Sequence, residues 1–194
     1  MKYPCWLAKP AVSLNACLFL LPLSFGRPLP PPKLPLTLLL ALPRPKVLNR
    51  ALASAASLGV ARILLLNAWK VEKAYWKSPK LAPENLREQL ILGLEQAKDT
   101  VLPELKMVRL FRPFVEEELP HLTQGHRLLL GHPGAPTACP RALDGPAMLA
   151  IGPEGGWVEA EKQSLEGAGF EAVDLGPRIL RVETALAALV GRLY

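Results

Sequence analysis

Two glycine-proline breaks, each ending a short apolar run and each leading into a helix-forming segment, constrain this chain more than any other feature. Leu149 to Ile151 stops at Gly152-Pro153, and Glu171 to Leu175 stops at Gly176-Pro177. Runs of this length closed by Gly-Pro suit buried parallel strands that end in turns. Between the breaks lie the loop Glu154-Gly155-Gly156 and a helix expected from near Val158. Glu159 and Glu161 fall in its first turn, where acids complement the helix dipole, and Gly167 and Gly169 end it. Beyond the second break, Arg178 to Arg181 carries two cations and leads through Glu183 and Thr184 into an apolar helix, Ala185 to Leu193. Two such turns, expected side by side at the carboxyl edge of a parallel sheet, form a crevice of the kind in which α/β proteins bind ligands. Gly155 and Gly156 let the backbone approach a ligand closely and adopt positive φ, so the loop offers bare N–H groups.

The motifs IGPEGG at 151–156 and LGPRILRVETA at 175–185, in this order and at this spacing, resemble those of the RsmE-type ribosomal RNA methyltransferases of the SPOUT class. A weaker similarity extends back to about Leu34. Two motifs in register are far more specific than a lone Gly-rich loop. The resemblance implies an α/β domain with a SPOUT-type parallel sheet, helices on both faces and a C-terminal trefoil knot. It implies methyl transfer from S-adenosylmethionine to N3 of a uridine in small-subunit ribosomal RNA, a homodimer with the cofactor site near its interface, and a cytoplasmic location. The competing function is a catalytically silent RNA-binding protein that keeps the same fold.

By the same resemblance the cofactor is held by Ile151, Gly152, Glu154, Gly155 and Gly156 of the first loop and by Leu175, Gly176, Ile179, Leu180 and Thr184 of the second. Leu130 and His132 join from a third strand-end loop, Gly131 to Gly134. Most of this contact is expected from main-chain groups. Trp157 either packs over the pocket or caps the following helix. Methylation at uracil N3 requires that a proton leave and that the charge developing on the ring meet a cation or hydrogen-bond donors. Arg181 is the candidate for that stabilisation and Glu183 the candidate orienter or proton acceptor. The alternative for the two is an ion pair at the start of the last helix, worth little.

The remaining chain supplies the rest of one domain, since 194 residues suffice for one substantial core and not for two large ones. Residues 1–27 are irregular, where the resemblance implies that a relative carries a PUA-like β-barrel, and a truncated or mis-started barrel is expected there. Lys2, Lys9 and the run Ala16 to Leu23 give a faint signal-peptide pattern, but a small-residue cleavage site is missing. Residues 28–35, with Pro28, Pro30, Pro31, Pro32 and Pro35, read as a semi-rigid linker. The domain is expected over 36–194. It opens with a strand over Leu36 to Leu42, a helix over Lys46 to Leu58 closed by Gly59, and a strand over Ala61 to Leu66. A long helix follows Pro83, with Leu86, Leu90, Leu94 and Ala97 on one face. Met107 to Leu110 and Arg127 to Leu130 read as strands, and 135–146 as a surface connection.

Charge and reactive residues narrow the partners. The net charge is +6, yet all 17 acids lie from Glu72 onward, so the basic excess sits in the first third and points to a polyanion or to a solvated basic face. Trp69 to Pro79 interleaves Trp69, Tyr75 and Trp76 with Lys70, Lys73 and Lys77. That pattern suits single-stranded RNA, and equally suits half-buried loop aromatics closing an edge of the domain. Asp99 stands where most relatives carry arginine. Cys5, Cys17 and Cys139, like His121, His126 and His132, are too dispersed for a zinc set, and the odd cysteine number fits free thiols. No stretch is long enough to span a membrane, so neither a metal nor a membrane partner is expected.

Overall fold

The structure, a computed structural model, describes residues 30–194. The expectations for residues 1–27 lie outside this range. Strand β1 (Leu34–Ala41) begins two residues before the expected Leu36. Its register against the next strand shifts between Leu34 and Thr37, and that irregularity accommodates Pro35, which has no N–H to give a ladder. Helix α1 (Pro45–Ser57) has Pro45 in its first turn, where the missing N–H is no loss, and Gly59 follows with φ 79°. Its buried residues, Leu48, Ala51, Leu52, Ala55 and Ala56, recur at helical spacing. Strand β2 (Val60–Leu66) and helix α2 (Pro83–Ala97) come next. Helices α1 and α2 approach closely because Gly93 has no side chain: a Cβ there would lie 2.2 Å from the Ala53 carbonyl oxygen.

Strand β3 (Glu104–Val108) starts earlier than the apolar run Met107 to Leu110 suggests. It is an edge strand, mostly solvent-facing, and pairing from Arg62 opposite Glu104 to Leu66 opposite Val108 sets its limits. A helical stretch of three pieces, Phe111–Pro113, Phe114–Glu118 and Leu119–Leu122, leads to β4 (Arg127–Gly131). The chain closes with β5 (Thr137–Ala138), β6 (Ala147–Ile151), α3 (Glu159–Gly167), β7 (Glu171–Asp174) and α4 (Val182–Leu193).

All strand pairs are parallel, and the sheet order is β3-β2-β1-β6-β4-β7-β5. This corrects one expectation. The two Gly-Pro turns do not stand side by side, because β4 lies between β6 and β7 and pairs with both. Leu129 and Leu130 are fully buried there, so the strand with the third loop takes the interior position between the two turns. Every residue of β6 is buried, as befits the middle of a covered sheet.

Residues 135–146 also differ from expectation. Thr137–Ala138 adds the last strand, and the backbone beyond it zips onto the end of α4. The amides of Ala142 and Leu143 donate to the Arg192 and Leu193 carbonyls at 3.3 and 2.6 Å, and Arg192 Nε donates to the Cys139 carbonyl at 2.6 Å. A helix leaves its last carbonyls unpaired, and this segment supplies two of the donors. Asp99 likewise has a structural task. Its carboxylate lies 2.7 Å from Lys33 Nζ and accepts from the Thr100 and Val101 amides, tying the residues before β1 to the end of α2. Among the described residues no helix is long and apolar enough to cross a membrane, and no cluster of three His, Cys, Asp or Glu could hold a metal.

Candidate functional site

The carboxyl ends of β1, β6, β4 and β7, four neighbouring strands, open into one cleft of about 850 Å³. The chain runs from β1 through β2 to β3 toward one edge of the sheet and lays β4, β5 and β7 toward the other. The cleft therefore sits where an open parallel sheet changes direction, with strand-end loops converging on it. Its floor is apolar, with Ile151, Val173 and Leu189. Gly131 allows this closure, since a Cβ on it would come within 2.9 Å of Leu189.

From the first loop, Ile151, Gly152, Glu154, Gly155 and Gly156 all line the cleft. The glycines differ in their reasons. Gly156 has φ 70°, in the left-handed region, with nothing within 4 Å of where a Cβ would point. Gly155 has no positive φ; a Cβ on it would meet the stem of Lys70 at 2.9 Å. Gly152 is pressed against Trp157, whose indole lies within about 3.2 Å of that direction. Trp157 is buried under the loop against Phe111, ring centroids 5.9 Å apart, and its Nε1 has no partner among the described residues. It thus packs beneath the loop as a wedge between sheet end and helix.

The loop is held from outside by three contacts. Glu154 Oε1 accepts from the Arg44 amide at 2.9 Å, placing a carboxylate at the start of α1, where Arg44 itself provides no side-chain cap. Lys70 Nζ donates to the Gly155 carbonyl at 2.7 Å. Glu161, nearly buried, uses both carboxylate oxygens: one accepts from the Val158 amide at 3.2 Å and the other from the Trp69 amide at 2.7 Å. A carboxylate three residues into a helix commonly reaches back to the first amide. Here the second oxygen also ties α3 to the loop after β2.

From the second loop, Leu175, Ile179 and Leu180 line the cleft, together with Arg181 and Glu183. Gly176 (φ 130°) shapes the turn, and Thr184 points off the lining because α4 rotates about 100° per residue. His132 lines the cleft from the third loop, its amide donating to the Val173 carbonyl, whereas Leu130 is buried in the sheet two residues earlier. Glu183 is paired across the cleft with Arg50 of α1 at 3.7 Å, and Arg181 makes no ion pair among the described residues. The ion pair between Arg181 and Glu183 that the sequence allows is therefore not formed.

Arg44, Arg50, Lys70 and Arg178 also line the cleft; the sequence marked Arg178 as a loop cation and Lys70 as part of the aromatic and basic stretch, but it singled out neither Arg44 nor Arg50. Three belong to the basic first third and one to the far end of the chain, and only the fold brings them together. The aromatic stretch divides in two. Tyr75 and Trp76 are half-buried: the Tyr75 hydroxyl donates to Glu72, and Trp76 donates to Asn67 while the Arg109 guanidinium lies 5.1 Å over its ring. Trp69 remains 82% exposed.

Comparison with known proteins agrees with this geometry. The sequence pattern of the RNA methyltransferase domain matches residues 30–194. Ribosomal RNA small subunit methyltransferase E of Treponema pallidum is 37% identical over 158 residues, covering 79% of this chain and 59% of that protein. A ribosomal RNA small subunit methyltransferase E from Neisseria gonorrhoeae, solved with bound S-adenosyl methionine, superposes with TM-score 0.65 at 27% identity over 82% of this chain and 64% of its own. A putative methyltransferase of Legionella pneumophila with bound SAM gives TM-score 0.64 at 30% identity over 80% and 64%. The chain spans about three fifths of the length of the curated relatives it matches.

Proposed function

Because this chain belongs to the RNA methyltransferase family, with its likenesses to RsmE-type members of the SPOUT class, we propose that it transfers a methyl group from S-adenosylmethionine to N3 of a uridine in small-subunit ribosomal RNA. The observation that carries the reading is the convergence of three strand-end loops and the unpaired Arg181 on one cleft. The residues fit the cofactor. An apolar floor of Ile151, Val173 and Leu189 suits a purine, the open left-handed Gly156 leaves main chain accessible, and the volume is that of a small-molecule site. Bound there, S-adenosylmethionine supplies an electrophilic methyl group. Ile151, Gly152, Glu154, Gly155, Gly156 and His132 would hold it from one side, and Leu175, Ile179 and Leu180 from the other.

The protein's own work is positioning and charge. Arg181, which pairs with no carboxylate among the described residues, faces the negative charge that develops on the uracil ring when the N3 proton leaves. Glu183, balanced by Arg50, orients the acceptor or takes that proton. Glu154 is engaged with the Arg44 amide, so its first contribution is to hold the loop.

The same reading carries a trefoil knot, a homodimer and a cytoplasmic site of action. The return of β6 to the middle of the sheet after β4 and β5 have been laid beyond it supports the knot. The outer face of α4, with Thr184, Ala187 and Gly191 exposed, supports a second copy packing there, as do Ile179 at 85% exposure and Leu180 beside it. The test is incubation with labelled S-adenosylmethionine and small-subunit ribosomal RNA, followed by reverse transcription. A methyl at N3 removes a Watson–Crick donor and halts the polymerase at one uridine. Cofactor binding without transfer to any RNA would leave the silent RNA-binding alternative in its place.

A further inference from the structure

We infer that Trp69 is a stacking platform for an unpaired base of the RNA strand that enters the cleft, next to the nucleotide being modified. The inference rests on the function proposed above and adds a contact to it. Among the described residues Trp69 is the large aromatic side chain whose exposure the fold leaves unexplained: 82% of it faces solvent. Loose backbone is not the reason. The residue sits in a turn closed by the Val71 amide on the Ala68 carbonyl at 3.0 Å, and both of those side chains are buried. The Trp69 amide is held by Glu161 at 2.7 Å, and the next residue is pinned through Lys70 to Gly155. The indole thus stands on a rigid pedestal beside the rim of the cleft, which Lys70 lines.

Its surroundings choose the occupant. Rings in the same stretch that serve the fold, Tyr75 and Trp76, are hydrogen-bonded and half-buried, whereas among the described residues Trp69 has neither bond nor cover for its ring. Arg44, Lys70, Arg178 and Arg181 line the adjoining cleft, against Glu154, Asp174 and Glu183, of which Glu154 is tied to an amide and Glu183 to Arg50. An exposed ring beside excess positive charge is the arrangement that holds single-stranded nucleic acid, stacking the base and attracting the phosphates. The pedestal is bonded to the loop carrying Gly155 and to the helix carrying Glu161, so a base stacked on Trp69 has a fixed relation to the cofactor loop.

The test measures binding of a short fluorescein-labelled single-stranded RNA carrying the target uridine by the full chain and by Trp69→Ala and Trp69→Phe, with cofactor affinity followed by calorimetry. Trp69→Ala is expected to weaken RNA binding roughly 10-fold or more, the usual loss when a stacking ring is removed. Trp69→Phe recovers most of it, and cofactor affinity is unchanged. The log–log salt slope of RNA binding is also unchanged, because a ring neutralises no phosphate. An abasic nucleotide beside the target abolishes the difference between wild type and Trp69→Ala. If wild type binds the RNA and Trp69→Ala binds it equally well, the platform is disproved while the methyltransferase reading stands. If Trp69→Ala instead changes the sedimentation of the free protein, the ring belongs to a contact between copies and the inference is wrong. Failure of wild type to bind any RNA removes the functional reading itself.

Discussion

At the scale of single residues, neighbours with the same chemistry carry different burdens. Gly155 and Gly156 read alike in sequence, but only Gly156 has a left-handed φ. Gly156→Ala is therefore expected to lose about 1 kcal/mol or more of stability from backbone strain, measured by denaturant unfolding, and to weaken cofactor binding. Gly155→Ala meets only the flexible stem of Lys70 at 2.9 Å and should be milder in both measurements. Arg181 offers a second contrast. With Glu183 engaged by Arg50, no carboxylate among the described residues compensates its charge, so Arg181→Ala is expected to lower kcat about 10²-fold with little change in cofactor affinity. Arg181→Lys should recover part of the loss, and equal KM and kcat effects in single-turnover kinetics would instead make Arg181 a general binding residue.

At the scale of elements, the connections between loops decide how the cleft keeps its shape. Helix α3 begins at Glu159, and Glu161 couples its first turn to the Trp69 turn after β2. Glu161→Gln keeps one acceptor and turns an NH₂ toward one of two amides. It should cost about 1 kcal/mol or more in thermal or chemical unfolding, because a part-buried N–H loses its partner. Protection of the Trp69 amide from hydrogen exchange should fall more than that of β6, whose residues are all buried. Uniform loss of protection would mean that Glu161 serves global stability and not this one tether.

At the scale of the whole molecule, distant segments are fastened to one another by a few polar contacts over an apolar core. Lys33 and Asp99 join the start of the described chain to the end of α2. Burial alone would raise the Asp99 carboxyl, but the Lys33 ammonium and the Val101 and Thr100 amides outweigh it and hold it below its ordinary value. A carboxyl depressed in the folded state stabilises the fold above its unfolded-state value, and the contribution is lost as pH falls through the folded one. Stability is therefore expected to fall below about pH 4, and Asp99→Asn should flatten that acid limb while lowering the plateau at neutral pH. An acid limb identical in the variant assigns the loss to other carboxylates. At the same scale, if the proposed homodimer packs through the exposed face of α4, Ala187→Glu is expected to shift its sedimentation to that of a monomer with the far-ultraviolet spectrum unchanged, and a wild type that sediments as a monomer overturns that part of the proposal.

What the sequence determined by itself was local. Apolar runs closed by Gly-Pro marked β6 and the end of β7, flanking Pro and Gly marked α1, one-face apolar spacing marked α2 and an apolar run marked α4. These features depend on neighbours within a few residues, where φ preference and hydrophobic period act directly. Edge strands were harder. β3 is mostly solvent-facing and β5 is two residues long, so neither leaves an apolar run. Only the tertiary structure decided that β4 separates the two Gly-Pro turns, that residues 139–145 complete the end of α4, and that Glu183 pairs with Arg50 and not with Arg181. It alone decided that Trp76 is covered and Trp69 is not. Each of these depends on which segments the sheet order brings together, and contacts between residues 110 apart, such as Glu154 with Arg44, follow from packing geometry that no local period encodes.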